Sequence, residues 1–424
     1  MKTIIKLLQE NPRVSDYKIN VHNKESCELF FIKGALETVR RTDTCDKEVT
    51  VYVDHDGCKG DAQFFLYPST TPEQMAQLVE EAVEKALLIK NAHYTLPQGQ
   101  TGAFAVESNF DATPMAQLAQ NIAASVLAAN RLENAALNSV EVFVNKHTDR
   151  ILSSRGMDKT QVRYDAMVEA IPTYNGAQQS VELYEQYNFN CFDPETLETR
   201  IGEKLIEVKA RYEAEAPQAP MACPVVLRDL EISELMGSIA SNLNYAQVYA
   251  HYNLFSKGDD IQKAPTGDRI GITMAGQVPG SDRSACFDAD GLALGSRRIV
   301  EAGKALDYYG SNRFAQYLNM EPTGQLPCLV ADAGSLCSDE IFRDTVLEVV
   351  SMSGLQVDFY SDYIGGEVRL AYYHDGGKVV PVTGISISGK LSQVLESIRF
   401  STETTVDGGY SGPNLALVQD MKIF

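Results

Sequence analysis

Residues 233–238, Ser233-Glu234-Leu235-Met236-Gly237-Ser238, have the length and the glutamate of the metallopeptidase pattern HExxxH. Gly237 also matches the HEAxGH form of that pattern, but a serine stands at each histidine position. In the commoner HExxH, two imidazoles four residues apart share a helix face and bind zinc, while the glutamate works on the metal-bound water. A spacing of five is harder. At ~100° per residue the second ligand lies about 140° round an ideal helix, so a wide turn, helped by glycine, must bring it back. Gly237 stands where such a turn would need it. Serine hydroxyls are poor zinc ligands beside imidazole or thiolate. Ser233 and Ser238 are therefore expected to hold no metal, which leaves Glu234 without an activated water to deprotonate. Taken alone, the six residues also read as an ordinary helix segment.

The elements that must position this stretch change character along the chain. Tyr17 to Val21, Cys27 to Ile32, Leu36 to Arg41 and Glu48 to Val53 have strand patterning, with polar breaks at His22-Asn23-Lys24-Glu25 and Asp54-His55-Asp56-Gly57,. Thr71-Pro72-Glu73 opens a helix whose apolar residues, from Met75 to Leu87, would cover that sheet,. After a polar connection over His93 to Thr101, an alanine-rich helix is expected over Met115 to Leu137, strands over Ser139 to Asn145 and Gln161 to Ile171, and a helix over Pro194 to Glu215. Pro217 and Pro220 then break the chain,. Beyond them, closely spaced short apolar runs point to a β-dominated region, with helices at the central motif and over Cys337 to Met352,. The expected class is α+β, a layered α/β N-terminal region followed by a β-rich C-terminal domain. The expected division is 1–95, 101–216 and 221–424.

Composition narrows the function. In 424 residues with 44% hydrophobic and 22% charged, a sizeable core is available,. A net charge of −20 argues against a direct grip on nucleic acid, which needs a basic face to displace counterions,. The eight cysteines are scattered, with no CxxC, and read as reduced thiols,. The first residues, MKTIIKLLQENPRV, lack the apolar core of a signal peptide,, and no run approaches the ~18 apolar residues of a membrane span. A cytoplasmic location with no membrane contact is expected.

Several segments in order carry a family resemblance. After the 233–238 stretch come Ser284-Ala285-Cys286-Phe287-Asp288-Ala289-Asp290-Gly291-Leu292, the turn Glu301-Ala302-Gly303-Lys304, Gly365-Gly366-Glu367-Val368-Arg369, Pro381 to Gly389 running into Lys390-Leu391, and Gly412-Pro413-Asn414-Leu415. Together they resemble the TldD/PmbA family, proteins historically called modulators of DNA gyrase and now regarded as cytoplasmic metallopeptidase components. The resemblance implies an α/β N-terminal region and a β-rich C-terminal domain that pair with a second subunit around a chamber for unfolded peptides. Its TldD-like branch keeps both histidines and adds a cysteine ligand near the C-terminus; the PmbA/TldE branch lacks them. Here both histidines are absent and the last cysteine is Cys337, so the chain resembles the PmbA/TldE branch. The third ligand would fall between about Ser401 and Gly412.

Individual segments also have plainer readings. Asp288 to Gly291 suits a β-turn, Gly365-Gly366 a bulge or a close backbone approach, and Arg297-Arg298 surface ion pairs. His251 and His374 lack ligand spacing. The expectation that follows is a non-catalytic subunit with the degenerate positions Ser233, Glu234 and Ser238, no metal or cofactor of its own, and zinc in a TldD-like partner. The pairing is with that partner or with itself, and the substrate is an unfolded peptide. Alternatives are a metallopeptidase active on its own and a gyrase-binding regulator.

Overall fold

The structure, a computed structural model, describes residues 1–129 and 132–424. Helix α1 (Lys2–Glu10) precedes β1 (Asp16–Ile32), β2 (Ala35–His55), β3 (Cys58–Leu66) and α2 (Pro72–Ala86). The short strands β4 (Asn91–Ala92) and β5 (Thr101–Ala105) and the helix α3 (Met115–Ala128) lead to a second long hairpin, β6 (Ala135–Ser153) and β7 (Asp158–Asn175). Strands β8 (Ser180–Glu182) and β9 (Glu185–Phe189) and helix α4 (Pro194–Glu213) complete this part. Among the described residues its nine strands form one sheet in the order β4-β3-β2-β1-β6-β7-β5, with β8 and β9 also paired to β7.

Local signals account for the helices on this sheet. Thr71 and Gln74 exchange both bonds of a capping box at the start of α2, with Pro72 at the first helical position,. Val79, Ala82, Val83 and Ala86 then pack on the strands below. Leu118, Ile122 and Val126 of α3 share a core with Ile201 and Leu205 of α4 over β6 and β7. α3 ends at Ala128, short of the expected Leu137. Positions 130 and 131 of that expected span lie outside the described residues, and Ala135 already belongs to β6.

Four expected strands are in fact two. The polar run His22 to Glu25 continues β1, because its backbone is paired on both sides: Lys24 lies opposite Thr44 of β2 and His147 of β6. Its side chains also find cross-strand partners, His22 on Asp149 at 3.0 Å and Glu25 on Lys146 at 3.4 Å. Two ladders outweigh the local turn preference of the polar residues. The break at Asp56-Gly57 is a true hairpin turn, with φ of 50° and 77°,.

The C-terminal region opens with β10 (Val225–Arg228), which runs directly into α5 (Asp229–Asn242) and then α6 (Tyr245–Tyr249). There follow β11 (Ile272–Ala275), β12 (Ser296–Glu301), β13 (Lys304–Ala305), α7 (Asn312–Tyr317), β14 (Cys328–Ala331) and α8 (Ser338–Ile341). Next come β15 (Val346–Met352), β16 (Gln356–Asp358), β17 (Tyr363–Asp375), β18 (Lys378–Val382), β19 (Ile385–Lys390) and α9 (Leu391–Ser397). Strands β20 (Arg399–Phe400), β21 (Thr404–Asp407), β22 (Tyr410–Pro413), β23 (Leu415–Val418) and β24 (Met421–Ile423) end the chain. Among the described residues they form two sheets, β20-β23-β10-β15-β17-β19-β24 with β16 and β18 on β17, and β13-β12-β11-β14-β22-β21. The fold is α+β with a β-rich C-terminal region.

One expectation is corrected here. Of the helix expected over Cys337 to Met352, only Ser338–Ile341 is helical, and Val346–Met352 is a central strand, parallel to β10 and antiparallel to β17. A short apolar run rich in valine fits either a buried helix or a buried strand by pattern alone, and pairing on both edges decides for the strand.

Lys59 on β3 is a fully buried cation of the N-terminal sheet. Lys59, 0% exposed, bonds Asp16 at 3.1 Å and Asp54 at 2.8 Å, while Asp16 also accepts from Arg155 and Ser154. Asp16→Ala strands part of that charge and is expected to cost about 3 kcal/mol in denaturant unfolding of the N-terminal region. An unchanged midpoint would show that Asp54 suffices.

Candidate functional site

The motif lies on α5, held between the two C-terminal sheets. Ile232, Leu235, Met236 and Ile239, none more than 1% exposed, join one core with Leu227 and Leu347 of one sheet and Ile272 and Leu329 of the other. Asp229 and Glu231 in the first turn suit the positive end of the helix dipole,. Burying one face turns the remaining residues outward, so Ser233, Glu234, Gly237 and Ser238 are all only partly buried.

The geometry does not rebuild a metal site. α5 is α-helical throughout, without the wide turn that a five-residue ligand spacing requires,. Gly237 has no neighbour within 4 Å of where a Cβ would stand, so neither packing nor a bent helix demands glycine there. Ser233 lines a hollow of about 320 Å³ together with Met274, Tyr309 and Leu329. Ser238 lines a different hollow of about 380 Å³, with Tyr252, Val357 and Tyr360. The two hollows meet at Ser241 and Gln247, which line both, so together they form a groove along α5. Glu234 has structural work to do: its Oε2 accepts the backbone N–H of Leu355 at 3.0 Å, tying α5 to the segment that leads into β16. With hydroxyls in place of imidazoles, and no cluster of three His, Cys, Asp or Glu side chains arranged for a metal among the described residues, the donor set does not fit zinc.

A residue that the motif reading passed over lies beside it. Glu231 is 3% exposed, and burial, reinforced by the charges of Asp229 and Glu234 and opposed by a bond from its own backbone N–H, pushes its carboxyl up to about 7,. The sequence signal was available, since Glu231 stands four residues before the core residue Leu235.

The other candidates resolve into structure. Asp288 organises a turn, its Oδ1 accepting from the backbone of Asp290 and Leu292 and its Oδ2 from Gln325. That turn docks on the N-terminal sheet: Lys18 bonds Asp290 at 2.6 Å, Lys159 donates to the carbonyl of Gly291 at 2.8 Å, and Gln161 accepts from the backbone of Cys286. At Gly365 a Cβ would lie 2.3 Å from the carbonyl oxygen of Ile387, so glycine there allows a close strand approach,. Arg297 pairs with Asp307 and Arg298 with Asp332. His374 bonds Glu348 at 2.9 Å, His251 is exposed, and all eight cysteines are free. In the segment expected to carry a third ligand, Ser401 is fully buried and bonded to Glu403 and Asn414, and β22 packs against α5.

Residues 220–424 match the model of the PmbA/TldA metallopeptidase C-terminal domain. Over these residues the chain is similar to the C-terminal domain of the TldD/PmbA family. Similar solved structures extend the likeness of fold to the N-terminal region. TldE from Thermococcus kodakarensis aligns with 100% of this chain and 99% of its own, with a TM-score of 0.81 at 15% identity. A Thermotoga maritima protein with a DNA gyrase modulator name aligns over 100% and 99%, at 0.78 and 17% identity. One from Bacteroides thetaiotaomicron with a similar name covers 100% and 97%, at 0.78 and 14%. No curated protein matches the chain in sequence.

Two outcomes follow from α5. Because the Glu231 carboxyl titrates higher in the folded chain than its ordinary 4.5, the folded state holds the proton longer, and stability falls as pH rises from about 4.5 to about 7. Glu231→Gln is expected to flatten that slope and to be the more stable protein above pH 7, as read from thermal unfolding across pH; parallel pH profiles would refute the assignment. The double variant S233H/S238H is expected to bind zinc weakly at most by titration calorimetry, since its imidazoles would leave an unbent helix about 140° apart toward different hollows. Tight stoichiometric binding would mean that α5 bends to bring them together.

Proposed function

We propose that this chain is the non-metal-binding, PmbA/TldE-like subunit of a cytoplasmic metallopeptidase assembly that acts on unfolded peptides, with zinc carried by a TldD-like partner. The observation that carries this reading is the state of the motif. Both imidazole positions are serines on an unbroken helix, facing different hollows, and the carboxylate of Glu234 is bonded to the backbone of Leu355. A groove with serine, asparagine and glutamine side chains along α5 supports contact with an extended chain, whose backbone groups need partners of that kind,. The net charge of −20 supports a role without direct nucleic-acid contact,. No helix among the described residues is long and apolar enough to cross a membrane.

The test is reconstitution. The purified chain is expected to contain no stoichiometric zinc by elemental analysis and to leave an unfolded peptide intact, and chelator-sensitive cleavage is expected once a TldD-like subunit carrying HExxxH is added. Cleavage by this chain alone would replace the proposal with that of a self-sufficient metallopeptidase. Capture of gyrase without any peptidase activity in the mixture would favour a regulator.

A further inference from the structure

Among the described residues, β16 is paired to β17 on one side and to no strand on the other. On β17 the carbonyl of Asp362 accepts from Leu391 on the β19 side, and that of Glu367 accepts from Ser353 on the opposite side. Backbone groups alternate sides along an antiparallel strand, so Tyr363 and Gly365 face β16, and their partners Asp358 and Gln356 carry the bonds of that ladder. Val357, between those two, therefore turns its N–H and C=O outward. Leu355, two residues earlier, turns its N–H the same way and meets Glu234 of α5 at 3.0 Å. The outward groups of Val357 have no such partner among the described residues. Val357 lines the hollow of about 380 Å³ together with Ser238 and Ser241 of α5.

The lining of that hollow selects its occupant. It contains no lysine, arginine or histidine, so a phosphate or a carboxylate finds no charged donor there. Asp358 is its one acidic side chain, and both of its oxygens are taken, by the backbone of Tyr360 and Ser361 and by the Ser361 hydroxyl. What remains on offer is neutral. One wall presents the N–H and C=O of Val357; the other presents the hydroxyls of Ser238 and Ser241 and the amide of Gln247, which have no bond within the chain among the described residues. The rings of Tyr252 and Tyr360, 67% and 74% exposed, stand at the border as apolar surface. An extended peptide matches both walls, because its backbone groups point alternately to its two sides while its side chains leave above and below.

We propose that β16 is a docking edge for peptide: an extended segment adds to it as a strand, one of its residues exchanging both backbone bonds with Val357 while its far side faces Ser238, Ser241 and Gln247. Recognition is of the main chain. The site therefore takes unfolded chains of varied sequence and refuses proline, or any N-alkylated residue, at the position opposite Val357. This rests on the proposed peptidase role and adds how this subunit holds the substrate.

Fluorescence anisotropy of the purified full chain with a labelled, unfolded decapeptide of non-repeating sequence tests it. Val357→Pro removes an N–H that the β17 ladder does not use, and is expected to weaken binding about tenfold. Val357→Ala keeps that N–H and is expected to bind within about threefold of the wild type. N-methylation at successive positions of the peptide is expected to find one position that causes about a tenfold loss on the wild-type chain and little further loss on V357P, since both changes break the same residue pair. A V357P chain that is folded by circular dichroism and binds like the wild type overturns the proposal. So does wild-type binding that is indifferent to N-methylation at every position, an arm that needs no variant to fold. A chain that binds no peptide also overturns it, and cleavage on adding a TldD-like subunit would then leave the subunit role standing. The expected losses without any cleavage in that mixture would keep the docking edge and remove the role.

Discussion

The burial of one face of α5 is the constraint on which the C-terminal half depends. A fourteen-residue helix pressed between two sheets has to supply apolar contacts to both, and Ile232, Leu235, Met236, Ile239 and Ala240 do so at almost no exposure. With that face committed, the helix cannot rotate, and the positions of Ser233, Glu234, Gly237 and Ser238 follow. At about 25 cal/mol per Å² of apolar surface, core residues of this kind outweigh anything the motif residues could gain by turning inward. The chemistry available to the motif is therefore set by residues that have no chemistry of their own.

The same logic explains the fate of Glu234. The residue just before a short strand, here Leu355 before β16, has a backbone donor without a ladder partner, and such donors are costly when withheld from water,. The carboxylate of Glu234 takes the N–H of Leu355, and the hydroxyl of Tyr360 reaches the carbonyl of Tyr252 across the neighbouring hollow. Tyr252 and Tyr360, which both line the groove, are thereby tied to each other, while the motif glutamate fastens α5 to the segment before β16. Glu231, one turn nearer the start of the helix, shows the opposite case of a carboxyl buried deeply enough that the neutral form is favoured,.

One part of the contact between the two halves of the chain is a set of polar bonds that join residues more than 120 positions apart. Lys18, Lys159 and Gln161 are well buried on the N-terminal sheet, and each reaches the turn around Asp288 to Gly291 or the backbone just before it. Phe104 and Phe287 meet edge to face beside Lys159,. A turn that reads locally as aspartate and glycine chemistry is thus also one of the places where the halves meet.

What the sequence determined by itself was local and periodic. The capping residues and apolar spacing placed α2, proline placed the start of α4, and the alternation of short apolar runs marked the C-terminal region as β-rich. The loss of both imidazoles at 233 and 238 needed no structure to be read, because it is a statement about atom types. Tertiary structure decided whatever depended on partners distant in the chain. His22 to Glu25 continue a strand because β2 and β6 pair with it on both sides, and Val346–Met352 is a strand because β10 and β17 flank it. That Ser233 and Ser238 face different hollows, that Glu234 holds a backbone amide and that Glu231 is buried all depend on which face of α5 the two sheets enclose. Helical spacing fixes the angles between side chains on one helix, but only the surrounding packing says which of those directions meets protein and which meets solvent.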